Sequence, residues 1–354
     1  MKQTALSFVG LSCLRFSQRC GWFDCSRQNP GSFWSKSINS GLPITFVLMS
    51  AILALVLLPA SASIAAEHVI RMSAEEVAAY DDGLGNKLLG YKMLSHTVDG
   101  NDITGRYSPY ATIPGPTLFL TEGDTVKLTI ENEISDGFDE ITDVDHHLGK
   151  ISNQVSVHVH GVHYKIVSDG TLKVINQLED QGAGVGPENT FHYYTYEWDV
   201  ALGTAGTWPY HDHNYETHNG AEHKGLYGAI IVDSVGAPQY AKEYVLYLTD
   251  DSFWGMEIDG VTKIQSKHGS NPGLSAARGS DVRFHVIPLG TDLHEFVLDS
   301  YRWSDPGTRR RIDRAVIGPL EKHVFAVRAN RSAYYRDKNF TNDLMGVRGL
   351  FEVR

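Results

Sequence analysis

The stretch Gly206-Thr-Trp-Pro-Tyr-His211-Asp-His213 narrows the fold of this chain more than any other. Its two histidines stand two apart in a segment that reads as a strand, where side chains alternate between faces, so both imidazoles leave on the same side. A second pair with the same parity precedes it in Val155-Ser-Val-His158-Val-His160-Gly161-Val-His163-Tyr164. If a β-sandwich sets the two strands side by side, His158, His160, His211 and His213 bring four neutral imidazole nitrogens to one point. That donor set suits a borderline ion such as copper or zinc, and the reading is a copper site. Both pairs sit in apolar surroundings, and the later one runs on into Gly225-Leu-Tyr-Gly-Ala-Ile-Ile-Val232.

Much of the chain repeats the two-residue period. Ile113-Pro-Gly-Pro-Thr117 gives an extended entry, Glu122-Gly-Asp124 a tight turn, and Val126, Leu128 and Ile130 alternate inward. Residues 91–97, with the turn at Asp99-Gly100, start the β pattern, and 191–198 alternate again. There the aromatic series Phe191, Tyr193, Tyr194, Tyr196 and Trp198 reads as sandwich core and cross-strand packing. Residues 67–80 are polar and mildly helical, 136–150 form an acidic loop with His146 and His147, and 168–189 are Gly-rich and loop-like. Gly236-Ala-Pro238 marks a linker, after which 243–249, 282–287, 293–298, 323–327 and 349–354 build a second β unit. Short, evenly spaced strands with Gly and Pro turns predict an all-β chain of two Greek-key β-sandwiches, residues 67–235 and 236–354, after a leader at 1–66.

The leader is read from its apolar run. Residues 44–58 are apolar, with Lys36 upstream and Pro59-Ala-Ser-Ala62-Ser-Ile-Ala-Ala66 downstream, the pattern of a secretory signal cut between Ala62 and Ala66. The expected destination is periplasmic or extracellular. Membrane anchoring by an uncleaved 44–58 segment is the competing reading, although the run is shorter than a typical span. Cys13, Cys20 and Cys25 all fall in the leader, so the exported part would carry no disulfide, zinc–thiolate or copper–thiolate bond. Removing the leader, which is net basic, takes the formal charge from −11 to −15. Such an acidic surface excludes nucleic acid and anionic membranes as partners and attracts cations.

Four of these stretches together resemble the multicopper oxidase family of cupredoxins, the first domain being similar to its ceruloplasmin-like branch. They are Ile113-Pro-Gly-Pro-Thr with Glu122-Gly-Asp124; His158-Val-His160-Gly-Val-His163-Tyr with Ser168-Asp-Gly170; Gly206-Thr-Trp-Pro-Tyr-His211-Asp-His213; and Gly225-Leu-Tyr-Gly-Ala-Ile-Ile-Val232. The resemblance runs from about Ile113 to Arg354, strongly in the first domain and weakly in the second. It implies two cupredoxin domains, copper as cofactor, His158 on a type 2 copper and His160, His211 and His213 on a type 3 pair. In the family the last domain supplies the other half of that cluster; here Leu293-His294-Glu-Phe-Val297-Leu-Asp299 keeps only the first histidine of the pattern. Tyr335-Arg336-Asp337-Lys338 and Val347 stand where the family has its His-Cys-His and its methionine. Asp212 and Leu226 stand where a first-domain cysteine and methionine would be.

What the resemblance leaves is an exported, multicopper oxidase-like oxidoreductase with a His-only copper site, no type 1 copper and an unknown small reductant. A type 1 centre needs a cysteine thiolate, whereas copper held by imidazoles with an open position still supports one-electron chemistry. The alternative is a copper sequestration or delivery protein without turnover. Trimeric relatives complete copper sites between subunits, so a homotrimer with His294 of a second copy as an extra ligand is a further expectation. His163, which points elsewhere after Gly161, and His218 and His223 on the following loop are further candidates. Imidazole ligates only when neutral, so an ordinary histidine pKa predicts copper affinity weakening as pH falls through about 6.5.

Overall fold

The computed structural model describes residues 65–81, 87–134, 141–142, 150–151, 155–171, 174–175, 190–191, 193–213 and 224–354. The expected leader and the loop histidines His146, His147, His218 and His223 lie outside the described residues. Residues 62–354 form one compact unit. It contains two Greek-key β-sandwiches, as the alternation predicts.

In the first sandwich a six-stranded sheet runs Asn101–Asp102, Lys87–Val98, Glu67–Asp81, Thr125–Asn132, Tyr193–Asp199, His163–Tyr164. Facing it are four strands in the order Leu118–Thr121, Tyr227–Asp233, Gly206–His211, His158–Val159. One apolar core fills the space between, with Ile70, Met72, Leu128, Ile130, Tyr196 and Trp198 from one sheet and Leu120, Val159, Tyr210 and Ile230 from the other. Trp198 is fully buried, so truncating it to alanine would cost about 3–5 kcal/mol.

The mildly helical reading of residues 67–80 is corrected: they form the strand Glu67–Asp81. Helix propensity in Ala74-Glu-Glu-Val-Ala-Ala-Tyr80 is a weak local preference that pairing overrides. This strand lies between an antiparallel partner, Lys87–Val98, and a parallel one, Thr125–Asn132, and it drives Ile70, Met72 and Ala74 into the core. Its start is pinned by a buried polar chain. Asp124 accepts from His68 Nε2 at 3.2 Å, His68 Nδ1 then accepts from His96 Nε2 at 2.9 Å, and the Tyr107 hydroxyl donates to His96 Nδ1 at 2.7 Å.

The second sandwich packs two five-stranded sheets. One runs Gln265–Ser270, Ser252–Asp259, Lys242–Thr249, Asp281–Pro288, His323–Arg328; the other runs Leu274–Ala276, Arg348–Val353, Ala333–Asp337, His294–Leu298, Arg314–Ile317. Residues 227–232 and 244–248 read as unbroken apolar runs because both faces of their strands, Tyr227–Asp233 and Lys242–Thr249, are covered. In Tyr227–Asp233, Ile230 and Val232 enter the first core, while Tyr227, Ala229 and Ile231 meet Val245, Tyr247, Met256 and Ile287 in a cluster joining the sandwiches. Beside that cluster, Glu243 is 0% exposed and accepts from Arg283 at 2.8 Å, Lys263 at 2.5 Å and His285 Nε2 at 3.0 Å. His285 Nδ1 in turn accepts from the Thr207 hydroxyl at 2.5 Å, which ties the start of the Gly206–His211 strand to the second sandwich.

Candidate metal centre

The two histidine segments do lie side by side. Gly206–His211 pairs antiparallel with His158–Val159, with His211 opposite His158 and Tyr210 opposite Val159. Val157, Val159 and Tyr210 point into the core, so the alternation sends His158, His160 and His211 to the other face of the sheet. There one side-chain nitrogen from each of the three lies within 4.8 Å of the others. His160 Nε2 is 3.1 Å from His211 Nε2, and those two rings stack at 15°. His213 lies beside the group, its ring 5.0 Å from that of His158 and 5.6 Å from that of His211. The strand ends at His211, and His213 falls outside the tight trio. Its Nδ1 is buried with no partner among the described residues.

Main-chain carbonyls set the tautomers. His211 Nδ1–H donates to the Asp212 carbonyl at 2.8 Å, and His158 Nδ1–H donates to that of Asp169. With the protons on Nδ1, both rings offer an Nε2 lone pair inward. The Asp169 carbonyl is placed by its turn, whose carboxylate accepts from the Thr171 amide at 2.9 Å and hydroxyl at 2.7 Å. Gly170 has φ +82°, and a Cβ there would stand 1.9 Å from the Val157 carbonyl oxygen, so only glycine lets the turn press against the histidine strand. Gly161, at φ +75°, is matched to Trp208: a Cβ would enter the indole at 1.9 Å, so the ring lies flat against the backbone after His160.

Three neutral imidazoles fit a borderline ion. Nitrogens 3.1 Å apart match two ligands that share an ion at bonds of about 2.0 Å, and among the described residues no carboxylate joins the group. Burial lowers the pKa of His158 below the usual histidine value. Burial first, and then the neighbouring imidazoles and the Lys322 ammonium, push His160 down to about 3. His158 and His160 therefore stay neutral below the pH at which ordinary histidines take up a proton.

The remaining sequence candidates fall elsewhere. Asp212 is buried and its carboxylate accepts from the Ser156 amide at 2.7 Å, while Leu226 belongs to the apolar core. His163 is exposed and sits on the edge of the six-stranded sheet, opposite Asp199. His294 is 0% exposed in the second sandwich, and its Nδ1 pairs with Asp337 Oδ2 at 2.7 Å. Asp299 pairs with Arg336 at 2.8 Å and Val347 is core.

Sequence reasoning missed Asp169, whose carbonyl holds His158, and Lys322, whose ammonium lies over Trp208. Asp169 had only the Ser-Asp-Gly pattern to announce it. Lys322 had no local signal: it comes from the second sandwich, and its Nζ stands 2.9 Å from the centre of the Trp208 ring.

No family model matches the chain. Over 227 residues it is 29% identical to the probable nitrite reductase-hydroxylamine oxidoreductase fusion protein of Kuenenia stuttgartiensis, a match covering 60% of this chain and 24% of that protein. Over 196 residues it is 29% identical to the multicopper oxidase aurL2 of Gibberella zeae, covering 50% of this chain and 27% of that one. The chain thus spans about a quarter of the length of these relatives. A solved structure of a multicopper oxidase shares the fold with a TM-score of 0.52 at 18% identity, over 81% of this chain and 88% of the other. Similar in sequence to these relatives and in fold to a multicopper oxidase, the chain has the cupredoxin fold and resembles the multicopper oxidases.

Proposed function

We propose that the protein is an exported, copper-binding oxidoreductase that holds copper through His158, His160 and His211, with His213 beside them, and that it works without type 1 copper. The observation that carries this reading is the convergence of three imidazoles, two of them with Nδ1 tied to a main-chain carbonyl. Copper bound there would supply one-electron chemistry and an open position for a small ligand. The chain's own residues orient the Nε2 lone pairs of His158 and His211, and burial keeps His158 and His160 unprotonated below the usual histidine range. No cysteine follows Cys25, so electrons would pass directly from a small reductant arriving at the half-exposed edge formed by His158 and His160. Residues 236–354 would then be a separate domain with degenerate ligand positions, and residues 1–66 the export leader.

The test is metal analysis with electron paramagnetic resonance on the purified protein. Bound copper without the intense blue thiolate band is expected; a blue band, or no copper, would overturn the reading. The absence of a thiolate beyond Cys25 also favours a second reading, copper sequestration or delivery without turnover. Copper-dependent consumption of dioxygen or nitrite, with a phenol or cuprous ion as reductant, separates the two. The homotrimer is tested by solution mass.

A further inference from the structure

The second sandwich holds a concentration of charge that the copper reading does not use. The chain carries a formal charge of −11, yet residues 300–336 contain eight arginines and one lysine against three carboxylates. Those carboxylates are engaged elsewhere: Asp313 with Arg314 at 3.3 Å, Glu321 with the Gly318 amide at 2.7 Å and Asp305 with the Thr308 hydroxyl at 3.4 Å. Three of the arginines, Arg302, Arg311 and Arg328, line one cleft of about 270 Å³ together with Ser300, Tyr301 and Asn330. Among the described residues no carboxylate pairs with Arg302 or Arg311, and Arg328 has only the exposed Asp281 at 3.6 Å.

The fold fixes these guanidiniums. A short hairpin pairs Trp303–Ser304 with Arg311–Ile312, Ser304 standing opposite Arg311. Its inner face is locked, because Trp303 is fully buried, stacks on Phe325 at 4.2 Å and donates its Nε1–H to His323 Nε2 at 2.8 Å. Side chains alternate along a strand, so Arg302 and Arg311 both leave on the outer face. There each clamps the other's main chain: Arg302 Nη2 donates to the Arg311 carbonyl at 2.8 Å, and Arg311 Nη2 to the Arg302 carbonyl at 2.5 Å. Most donors of both forks stay unspent. Arg328 ends His323–Arg328, the last strand of its sheet, and the Tyr301 hydroxyl fixes the turn that follows by accepting from the Asn330 and Arg331 amides at 3.1 Å. Three like charges around one cleft repel one another, and an anion among them removes that cost. We propose that this cleft binds a phosphate group, free or as a monoester. A guanidinium fork takes phosphate oxygens in pairs, and phosphate brings the second charge and the third oxygen that a carboxylate lacks. Pockets for drug-sized ligands start near about 300 Å³, so only a compact group fits. The site lies wholly on the second sandwich and does not depend on copper in the first.

The experiment titrates the full chain calorimetrically with inorganic phosphate and, in parallel, with glycerol 3-phosphate, at pH 8 and fixed ionic strength, with acetate as the reference anion. Saturable one-to-one binding of phosphate, about tenfold or more tighter than acetate, is expected. Tighter binding of glycerol 3-phosphate than of the free ion would assign the cleft to an ester, and the reverse order to free phosphate; either result supports the site. Arg302→Gln and Arg328→Gln should each weaken phosphate binding by about tenfold, as loss of one nearby charge in a partly hydrated site implies. Arg328 makes no hydrogen bond among the described residues, so Arg328→Gln still tests the cleft if loss of the clamp in Arg302→Gln unsettles the hairpin. Arg348→Gln, whose guanidinium lies against Tyr334 outside the cleft, should bind phosphate as the wild type does. Phosphate that binds no better than acetate would overturn the proposal. Equal weakening by Arg348→Gln would also overturn it, because that marks a diffuse field of charge and not a site.

Discussion

Each sandwich buries a histidine whose Nδ1 is tied down, and the nature of the tie separates the two. In the first, His158 and His211 donate to main-chain carbonyls, which adds no charge and leaves their Nε2 atoms converging with His160. In the second, His294 donates to the buried carboxylate of Asp337, which also accepts from Asn342 Nδ2 at 2.6 Å and from the amides of Glu295 and Asn339 at 3.0 Å. His294 Nε2 is buried with no partner among the described residues, and the trio is the one close group of potential metal donors found there. An imidazole with companions can serve an ion, whereas an imidazole locked by a carboxylate and left alone serves the fold. Similar chemistry at the two places therefore does different work.

The largest effect expected from this contrast is on metal binding. His211→Ala should weaken copper binding by more than about 100-fold, beyond the loss that removing an outer-shell partner gives, while His294→Ala leaves it unchanged. Competition titration against a chelator measures both. Loss of copper in His294→Ala would erase the distinction and bring the second sandwich back into the site.

Stability should show the reverse. Asp337 is 0% exposed and its pKa lies below the usual carboxylate value: burial pushes it up, but hydrogen bonds from His294, Asn342 and the Asn339 amide outweigh that. Asp337→Ala strands those donors without a partner and should cost about 2–3 kcal/mol in denaturant unfolding, with copper content unaltered. A neutral result would mean that the His294 corner is not a structural anchor.

The same contrast explains what could be read in the sequence. The trio was legible because two-residue spacing on paired strands is local, and Val157, Val159 and Tyr210 fix which face the histidines take. The strand Glu67–Asp81 was not legible, because its helix-favouring residues become a strand only between two partners. His213 shares the parity of His211 but lies past the strand end, so period-two reasoning placed it more firmly in the group than the structure does. The His294–Asp337 pair joins residues 43 apart, and Lys322 reaches Trp208 from another sandwich; no local pattern encodes either.

The smallest expected change is in the pH dependence of copper affinity, and there the burial of the trio is decisive. Protons compete with copper for the same lone pairs, so ordinary imidazoles would start to release the metal near pH 6.5. His158 is held below that value by burial, and His160 at about 3 by burial and its neighbours. So far as these two residues set it, affinity should vary by less than about threefold between pH 8 and 6. The cost appears instead in the metal-free fold. A depressed imidazole stays neutral in the native chain while the unfolded chain takes up a proton, so its stabilisation is full above about 6.5 and drains away as pH falls toward the folded value near 3. His96, pushed to about 3 chiefly by burial, adds to the same loss. The unfolding midpoint of the metal-free protein should therefore drop steadily below pH 6.5 while copper affinity is still level at pH 6. Affinity that instead falls about tenfold per pH unit from 6.5, with an unmoved midpoint, would mean that the first-sandwich histidines titrate as exposed groups, and the contrast with His294 would lose its physical basis.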